Sequence, residues 1–154
     1  MNRPSTHLFL ILTFAVGIIS GCRSTPKRAW IDPIHLDNWP RELRKHPMPA
    51  GANMHKIDLG GTKNASHHLV RVRDREPYHL HAEHDLTVFV LSGHGDIIID
   101  GRPRACTTGN VLFIPRGVPH AFVNKSDKVA VAYAVFTPAM RVKDFVKVPT
   151  VTGK

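Results

Sequence analysis

Cysteine, aromatic and acidic residues are all scarce in this chain of 154 residues. Its two cysteines, Cys22 and Cys106, allow at most one intramolecular disulfide, so no disulfide framework can support the fold. Only 12 acidic residues oppose 21 lysines and arginines, and the formal net charge is +9. The basic residues are nevertheless scattered singly, and the few aromatic residues do not interleave with them. We therefore expect no nucleic-acid partner, because nucleic acid usually binds to a basic stripe or groove.

The sequence also lacks a long apolar run near its start. The apolar stretch from Leu8 to Ile19 is shorter than the roughly 20 residues that span a bilayer, and it follows a single charge at Arg3. A charged start, a short apolar core and small residues are typical of a secretory signal peptide. The residues Ile19-Ser20-Gly21-Cys22 resemble the lipobox of bacterial lipoproteins, in which the cysteine receives lipid. We predict a lipoprotein signal peptide over residues 1–21 and lipid on Cys22. The alternatives are an ordinary signal peptide with a chance cysteine and a weak membrane anchor.

The lipoprotein resemblance implies a location in the cell envelope. The protein would be held to the membrane through its N-terminal lipid and would face the periplasm. Arg23 stands where an aspartate often retains lipoproteins at the inner membrane, which favours the outer membrane. Cys106 would then be the single thiol, which leaves no intramolecular disulfide.

The remaining chain has room for one globular domain, since 42% of all residues are hydrophobic and no repeat is present. Residues 22–54 are rich in proline and basic residues and predict a tether and an irregular N-terminal segment, with one short helix at about 40–45. Residues 55–138 predict a barrel, and residues 139–154 a C-terminal tail that is either docked or frayed.

Short β-branched runs separated by turn residues fill the predicted barrel. Glycine, asparagine and aspartate in these turns tolerate positive φ, and proline fixes φ at a corner. The pattern is typical of an antiparallel β-sandwich or barrel, so the predicted fold class is all-β. The candidate strands are His67 to Arg73, Thr87 to Leu91, Asp96 to Asp100, Val111 to Ile114, Ala121 to Val123 and Val129 to Phe136.

Histidine is abundant, with 11 in the chain, and two segments place histidines in recognisable patterns. The second segment has Gly109, Pro115, Gly117, His120 and Asn124 at the spacing of the second conserved motif of the cupin superfamily, which it resembles. The first is YHLHAEHD at 78–85, and it resembles the first cupin motif: His, any residue, His, three or four residues, Glu, and a later Gly. The resemblance covers about residues 55–138. It implies a double-stranded β-helix, or jelly-roll, barrel.

The resemblance also implies a metal site. Residues i and i+2 of a strand face the same side, so His79 and His81 can both point into the barrel. His120 from a facing strand would add a third imidazole, and such a site suits Fe, Mn, Ni, Cu or Zn. We predict Asp85 as the fourth ligand because it has the glutamate spacing from His81. An extra residue must then be absorbed, for instance by a bulge near residue 84.

The fourth position has alternatives. Counting back from Gly93 puts Leu86 there, which cannot bind metal. Glu83 and His84 are the other candidate ligands, and a three-histidine site completed by water is the remaining possibility. Arg73 also departs from the motif, which has glycine six residues before the first histidine.

Cupins include dioxygenases, isomerases and decarboxylases as well as binding modules, so the fold does not decide the reaction. We predict a metal-dependent enzyme, dioxygenase-like or isomerase-like, acting on a small anionic molecule with Arg71 or Arg73 near the pocket mouth. The alternative is a non-catalytic envelope module that binds a metal or a small ligand. A basic lipoprotein that binds anionic polymer or lipid headgroups is a third hypothesis. An enzyme should have an open coordination position and a polar pocket, whereas a binding module should have a saturated ligand shell or a pocket without an acid or base group. Cupins commonly dimerise, so the resemblance also allows a homodimer.

Overall fold

The structure, a computed structural model, describes residues 38–149. The predicted signal peptide over 1–21, the lipidation site Cys22 and residues 22–37 of the predicted tether and N-terminal segment lie outside the described residues. Within residues 38–149, no helix is both long and apolar enough to cross a membrane.

Two five-stranded antiparallel sheets make up the domain, which agrees with the all-β prediction. The first sheet has the strand order β1-β2-β9-β4-β7 and the second β10-β3-β8-β5-β6. The elements are α1 Trp39–Lys45, β1 Met54–Gly61, β2 Ser66–Val72, β3 His79–Leu80, β4 Asp85–Ser92, β5 His94–Ile99, β6 Arg102–Thr107, β7 Val111–Ile114, β8 His120–Asn124, β9 Ala130–Thr137 and β10 Val146–Lys147.

All six predicted strands form, and four others were not predicted. β1 ends in two glycines and has exposed charged side chains at Lys56 and Asp58, and β6 is an edge strand whose first four residues are exposed, so neither shows a clear apolar alternation. β3 and β10 are two residues long and pair with each other, which only the folded chain can bring about. The predicted short helix is present as α1, where the Asn38 side chain accepts a hydrogen bond from the Arg41 backbone N–H and thereby caps the first turn.

The core lies between the two sheets. Alternation along β4 sends Leu86 and Val90 into the core, while Phe89 on the opposite face is 39% exposed. The other buried core residues are Ile97, Cys106, Ile114, Ala134 and Phe136. Cys106 is a free thiol that is buried in this core, where it packs as a small apolar side chain.

One turn connects the two histidine motifs. Gly117 has φ of +77°, a conformation that favours glycine, and its backbone N–H donates to the His81 carbonyl over 2.7 Å. The turn that precedes β8 is therefore fastened to the chain directly after β3. This hydrogen bond fixes the position of His81 relative to the turn that leads to His120.

Candidate metal centre

The three predicted histidine ligands come from neighbouring strands. His79 begins β3 and is the register partner of His120, which begins β8. His81 follows β3 and is buried with them. Residues about 40 positions apart in the sequence thus become cross-strand neighbours, whose side chains lie close on one face of a sheet.

The three rings form a compact buried cluster. One ring nitrogen of each histidine lies within 4.8 Å of the corresponding nitrogens of the other two. The ring centroids are 4.3 Å apart for His79 and His120, 5.0 Å for His79 and His81, and 5.4 Å for His81 and His120. The exposed fractions of the three residues are 4%, 6% and 2% for His79, His81 and His120.

Each ring is oriented by a backbone carbonyl. The Nδ1 of His79 donates to the Pro77 carbonyl over 2.8 Å, and the Nδ1 of His120 donates to the Val118 carbonyl over 2.9 Å. The Nδ1 of His81 donates to the carbonyl of Asp144. A carbonyl oxygen can only accept, so each Nδ1 carries the proton and, in the neutral ring, each Nε2 keeps its lone pair.

Burial keeps these rings neutral. Loss of solvation lowers the pKa of His79 to about 4, and the neighbouring His120 adds to this effect. Burial likewise lowers the pKa of His120 to about 4 and shifts the pKa of His81 downward. At neutral pH the cluster therefore presents three uncharged imidazoles, which is the form that binds metals.

The donor set fits a divalent transition-metal ion. The Nε2 of His120 is buried and has no hydrogen-bond partner among the described residues. A buried acceptor without a donor is costly, and three acceptors facing one another have no donor to share. A cation would satisfy all three, so the orphaned nitrogen is the observation that connects this cluster to a metal.

Asp85, the predicted fourth ligand, is not brought to the histidines. Its carboxylate accepts from the Arg116 side chain, with Nη2 to Oδ2 at 2.9 Å, and from the Arg116 backbone N–H at 3.0 Å. These bonds lower the pKa of Asp85 to about 2. The physical reason is the parity of β4: Leu86 faces the core, so Asp85 faces away. Counting back from Gly93 therefore gives the inward-facing position for a fourth ligand, and that position is occupied by Leu86, which cannot bind metal.

The bulge expected near residue 84 is not found there. The register of β4 against β9 shifts between Val90 and Ser92, at the far end of the strand from His84. Of the alternative ligands, Glu83 is exposed, and the His84 Nδ1 lies 2.6 Å from the Asp144 Oδ2. Neither belongs to the histidine cluster.

The C-terminal segment supports the cluster, although the sequence only suggested a docked or frayed tail. The Asp144 carboxylate accepts from the backbone N–H groups of Ala82 and Glu83 at 3.0 and 2.8 Å. The Phe145 ring stacks on His79, with centroids 4.0 Å apart and planes inclined by 15°. No sequence signal pointed to these two residues, because they gain their role from a chain reversal that pairs β10 with β3.

A cavity of about 440 Å³ opens beside the three histidines, and Glu76 lines it. Sequence reasoning missed Glu76, which precedes His79 by three residues. Its backbone N–H donates to the Phe122 carbonyl over 2.8 Å, so it extends the β3–β8 pairing beyond His79 and His120. Burial raises the pKa of Glu76 to about 7, against a hydrogen bond from Phe122 that lowers it.

The two arginines expected near the pocket mouth are used elsewhere. Arg71 is buried and donates to the His46 carbonyl, and Arg73 is exposed and donates to the Ala52 carbonyl over 3.2 Å. Neither lines the cavity. They fasten the segment after α1 to β2.

Comparison with known proteins agrees with this geometry. The sequence model of the family described as "Cupin domain" matches residues 67–136, which contain all three histidines. Residues 67–136 form a cupin domain. An Aquifex aeolicus (strain VF5) protein described as uncharacterized is 37% identical over 107 residues, which are 70% of this chain and 88% of that protein.

Two solved structures show the same fold as this cupin domain. A Klebsiella pneumoniae protein with a double-stranded β-helix domain aligns with a TM-score of 0.60 at 14% identity, over 69% of this chain and 95% of that one. Streptomyces Pac13 with uridine aligns with a TM-score of 0.56 at 14% identity, over 65% of this chain and 82% of that one. Pac13 is described as a nucleoside dehydratase. The predicted cupin jelly-roll is thereby confirmed, and these identities carry the fold alone.

Proposed function

We propose that this protein is a metal-dependent enzyme that acts on a small molecule, with His79, His81 and His120 holding one divalent transition-metal ion. The observation that carries the proposal is the common orientation of the three rings. Each Nδ1 is committed to a backbone carbonyl, so each Nε2 is left as an acceptor in one buried cluster. Imidazole ligands of this kind suit Fe, Mn, Ni, Cu or Zn.

A site with only three protein ligands favours an enzyme over a non-catalytic binding module. Catalytic sites typically keep a coordination position for water or substrate, whereas structural sites are filled by protein. Because Asp85 is bound to Arg116 and Leu86 is apolar, β4 supplies no fourth ligand. When bound, the metal would polarise an oxygen atom of the substrate or activate water.

Glu76 supplies the acid or base that a carrier does not need. Its carboxyl lines the same cavity as the histidines, and a pKa of about 7 lets it hold or release a proton at neutral pH. The cavity of about 440 Å³ is within the size range of small-molecule sites. These two features favour the enzyme over the non-catalytic envelope module.

Metal content tests the first part of the proposal. We expect protein purified without chelators, or reloaded with Mn, Fe, Co, Ni or Zn, to hold one metal ion per chain by elemental analysis. His79→Ala and His120→Ala should lose it. His94→Ala is the matched control, because His94 is exposed and lies outside the cluster. A wild type that takes up none of these metals would refute the metal site.

Turnover tests the second part. We expect Glu76→Gln to keep its metal and to lose about 100-fold or more in rate, as is usual for a general acid or base. Oxygen uptake with phenolic and thiol substrates is a suitable first screen. Glu83→Gln, at an exposed carboxyl, is the control. Metal binding by the wild type without any turnover would favour the carrier function.

We propose the envelope location from the sequence alone, since Cys22 lies outside the described residues. Its support is the lipobox-like Ile19-Ser20-Gly21-Cys22. Expression of the full chain in a bacterium should give a protein that partitions into detergent, with an acylated N-terminal cysteine by mass spectrometry. Cys22→Ser should abolish both. An unmodified full-length wild type would contradict the proposal.

We also propose a homodimer, supported by apolar side chains on the outer face of the first sheet. Val111 and Phe113 on the edge strand β7 are 59% and 63% exposed, and Phe89 on β4 is the register partner of Val111. Such a patch often marks an interface. Light scattering should give twice the chain mass, and Phe113→Ser should give the monomer; a monomeric wild type would exclude the dimer.

A further inference from the structure

The mouth of the cavity is built by the segment that follows β9. Five successive residues, 141–145, line the cavity. The segment is held by the Asp144 carboxylate, by the pairing of β10 with β3 and by the Val148 N–H, which donates to the Tyr78 carbonyl over 3.2 Å. The groups that it carries are therefore placed at the entrance.

Three cationic side chains line the cavity around this entrance: Lys56 from β1, and Arg141 and Lys143 from the segment. The Lys56 ammonium lies 3.6 Å from the Met140 sulfur, a weak acceptor, and 3.6 Å from the Asp58 Oδ1. An ammonium has three donors, and neither neighbour is at the short distance of a strong charged hydrogen bond. Lys56 thus retains donor capacity toward a bound ligand.

The acidic residues of the lining are engaged with other partners. Asp144 accepts two backbone N–H bonds and faces the His84 Nδ1 at 2.6 Å. The Asp58 Oδ1 lies 2.6 Å from the His68 Nδ1. Glu76 is half-buried, and burial favours its neutral form. Because the charged form of Glu76 is disfavoured, the three cations of the lining outnumber the ionised carboxylates of Asp58 and Asp144, and the low-dielectric cleft strengthens the resulting positive field.

The interior beyond the entrance is apolar apart from Glu76 and the three clustered histidines. Leu86, Val90, Ile97, Leu112 and Phe122 line it. A fully polar ligand would lose its hydration there without compensation. A ligand with an apolar body and a charged end would match both parts of the cavity.

We propose that the ligand of this cavity is a small organic anion, with an apolar body among the barrel side chains and an anionic group held by Lys56, Lys143 and Arg141. The inference deepens the proposed function, on which it rests, by naming the chemical class of the substrate. It also moves the predicted anion contact from Arg71 and Arg73 to a different set of cations.

Binding of matched charged and neutral probes tests the inference. The full metal-loaded chain would be titrated with benzoate, phenyl phosphate and hexanoate, and with the neutral benzamide and hexanamide, by calorimetry or by amide NMR shifts. We expect at least one anion to bind about tenfold more tightly than its neutral counterpart. The double variant Lys56→Met/Lys143→Met should remove this preference. Lys128→Met, at an exposed lysine that does not line the cavity, should keep it.

The same titrations on metal-free protein separate this inference from the metal site. Anion preference that persists without metal and disappears in the double lysine variant supports the cationic entrance even if the metal proposal fails. Anion binding that needs the metal and is unchanged in the lysine variant would assign the anion to the metal and overturn the inference. Equal binding of charged and neutral probes, or no binding of any anion at about 10 mM, would overturn it as well.

Discussion

Two groups of buried histidines in this barrel differ in how their ring nitrogens are satisfied. His68 is 2% exposed, its Nδ1 lies 2.6 Å from the Asp58 Oδ1, and its Nε2 lies 2.9 Å from the Ser66 Oγ. His120 is equally buried, but its Nε2 has no partner within the described residues. Burial alone does not distinguish a structural histidine from a metal ligand. The second ring nitrogen does, because a satisfied nitrogen has no lone pair to offer.

The largest expected effect separates these two groups directly. His120→Ala removes one of the three proposed ligands, and we expect its metal affinity to fall by more than the roughly 100-fold that loss of a supporting residue causes. His68→Ala should leave the metal affinity unchanged. Competition with a chromogenic chelator measures both. Equal losses in the two variants would break the comparison.

Asp144 sharpens this comparison, since it supports the histidine cluster of the proposed metal site without belonging to the cluster. Asp144→Ala frees the backbone of Ala82 and Glu83 and loosens the carbonyl that orients His81. We expect metal affinity to fall by about 10-fold to 100-fold, with a folded circular dichroism spectrum. Asp127→Ala, at an exposed aspartate, should bind metal like the wild type.

Glu76 adds a half-buried carboxyl group whose charged form is disfavoured. Burial raises its pKa from 4.5 to about 7, so the folded protein binds this proton more tightly than the unfolded chain does. The resulting stabilisation is complete below pH 4.5 and is lost as the pH rises through 7. Relative to Glu76→Gln, metal-free wild type should lose up to about 3 kcal/mol of unfolding free energy across this range. Urea titrations at several pH values measure the difference, and a pH-independent difference would show an ordinary carboxyl.

His68 tests the opposite property, stability without metal binding. His68→Ala removes contacts to Asp58 and Ser66, and Ser66 in turn accepts from the Met140 N–H over 2.9 Å. We expect a loss of about 1–3 kcal/mol in unfolding free energy, because buried polar groups lose their partners. Chemical denaturation of the metal-free protein measures it. An unchanged midpoint would mean that these bonds contribute nothing net.

The smallest effect is expected at Asp85, the predicted ligand that the fold turns outward. Its ion pair with Arg116 is half-exposed, and such pairs contribute little. Asp85→Asn should therefore bind metal with wild-type affinity and unfold at nearly the same denaturant concentration. A clear loss of metal would restore Asp85 to the ligand set.

The position of Asp85, away from the histidine cluster, shows where sequence reasoning ended. Spacing from His81 and the chemistry of a carboxylate both favoured Asp85, but the parity of β4 places Leu86 inward. The count from Gly93 selected the inward position, Leu86, because the family spacing between these two positions lies almost entirely within β4. In the loop between His81 and β4, side chains do not alternate between two faces. Counting residues across this loop therefore could not predict which residue of β4 faces the core.

The histidine pairs themselves were predictable, since His79 and His81 share a strand face and the cupin-like spacing joined them to His120. The sequence did not predict the other residues that line the cavity or support the cluster, namely Glu76, Asp144, Phe145 and Lys56. Each reaches the cavity through a pairing between distant segments, such as β10 with β3 or residue 76 with residue 122. Local patterns carry no signal for such contacts.

The sequence by itself determined the all-β class, the strands with strong alternation and the identity of three nitrogen donors, because these depend on local periodicity and on motif spacing. Only the tertiary structure decided which carboxylates face the cavity, which carbonyls orient the rings and which cations line the entrance. Those properties depend on strand parity and on chain reversals over tens of residues, where the packing of the whole barrel selects one arrangement.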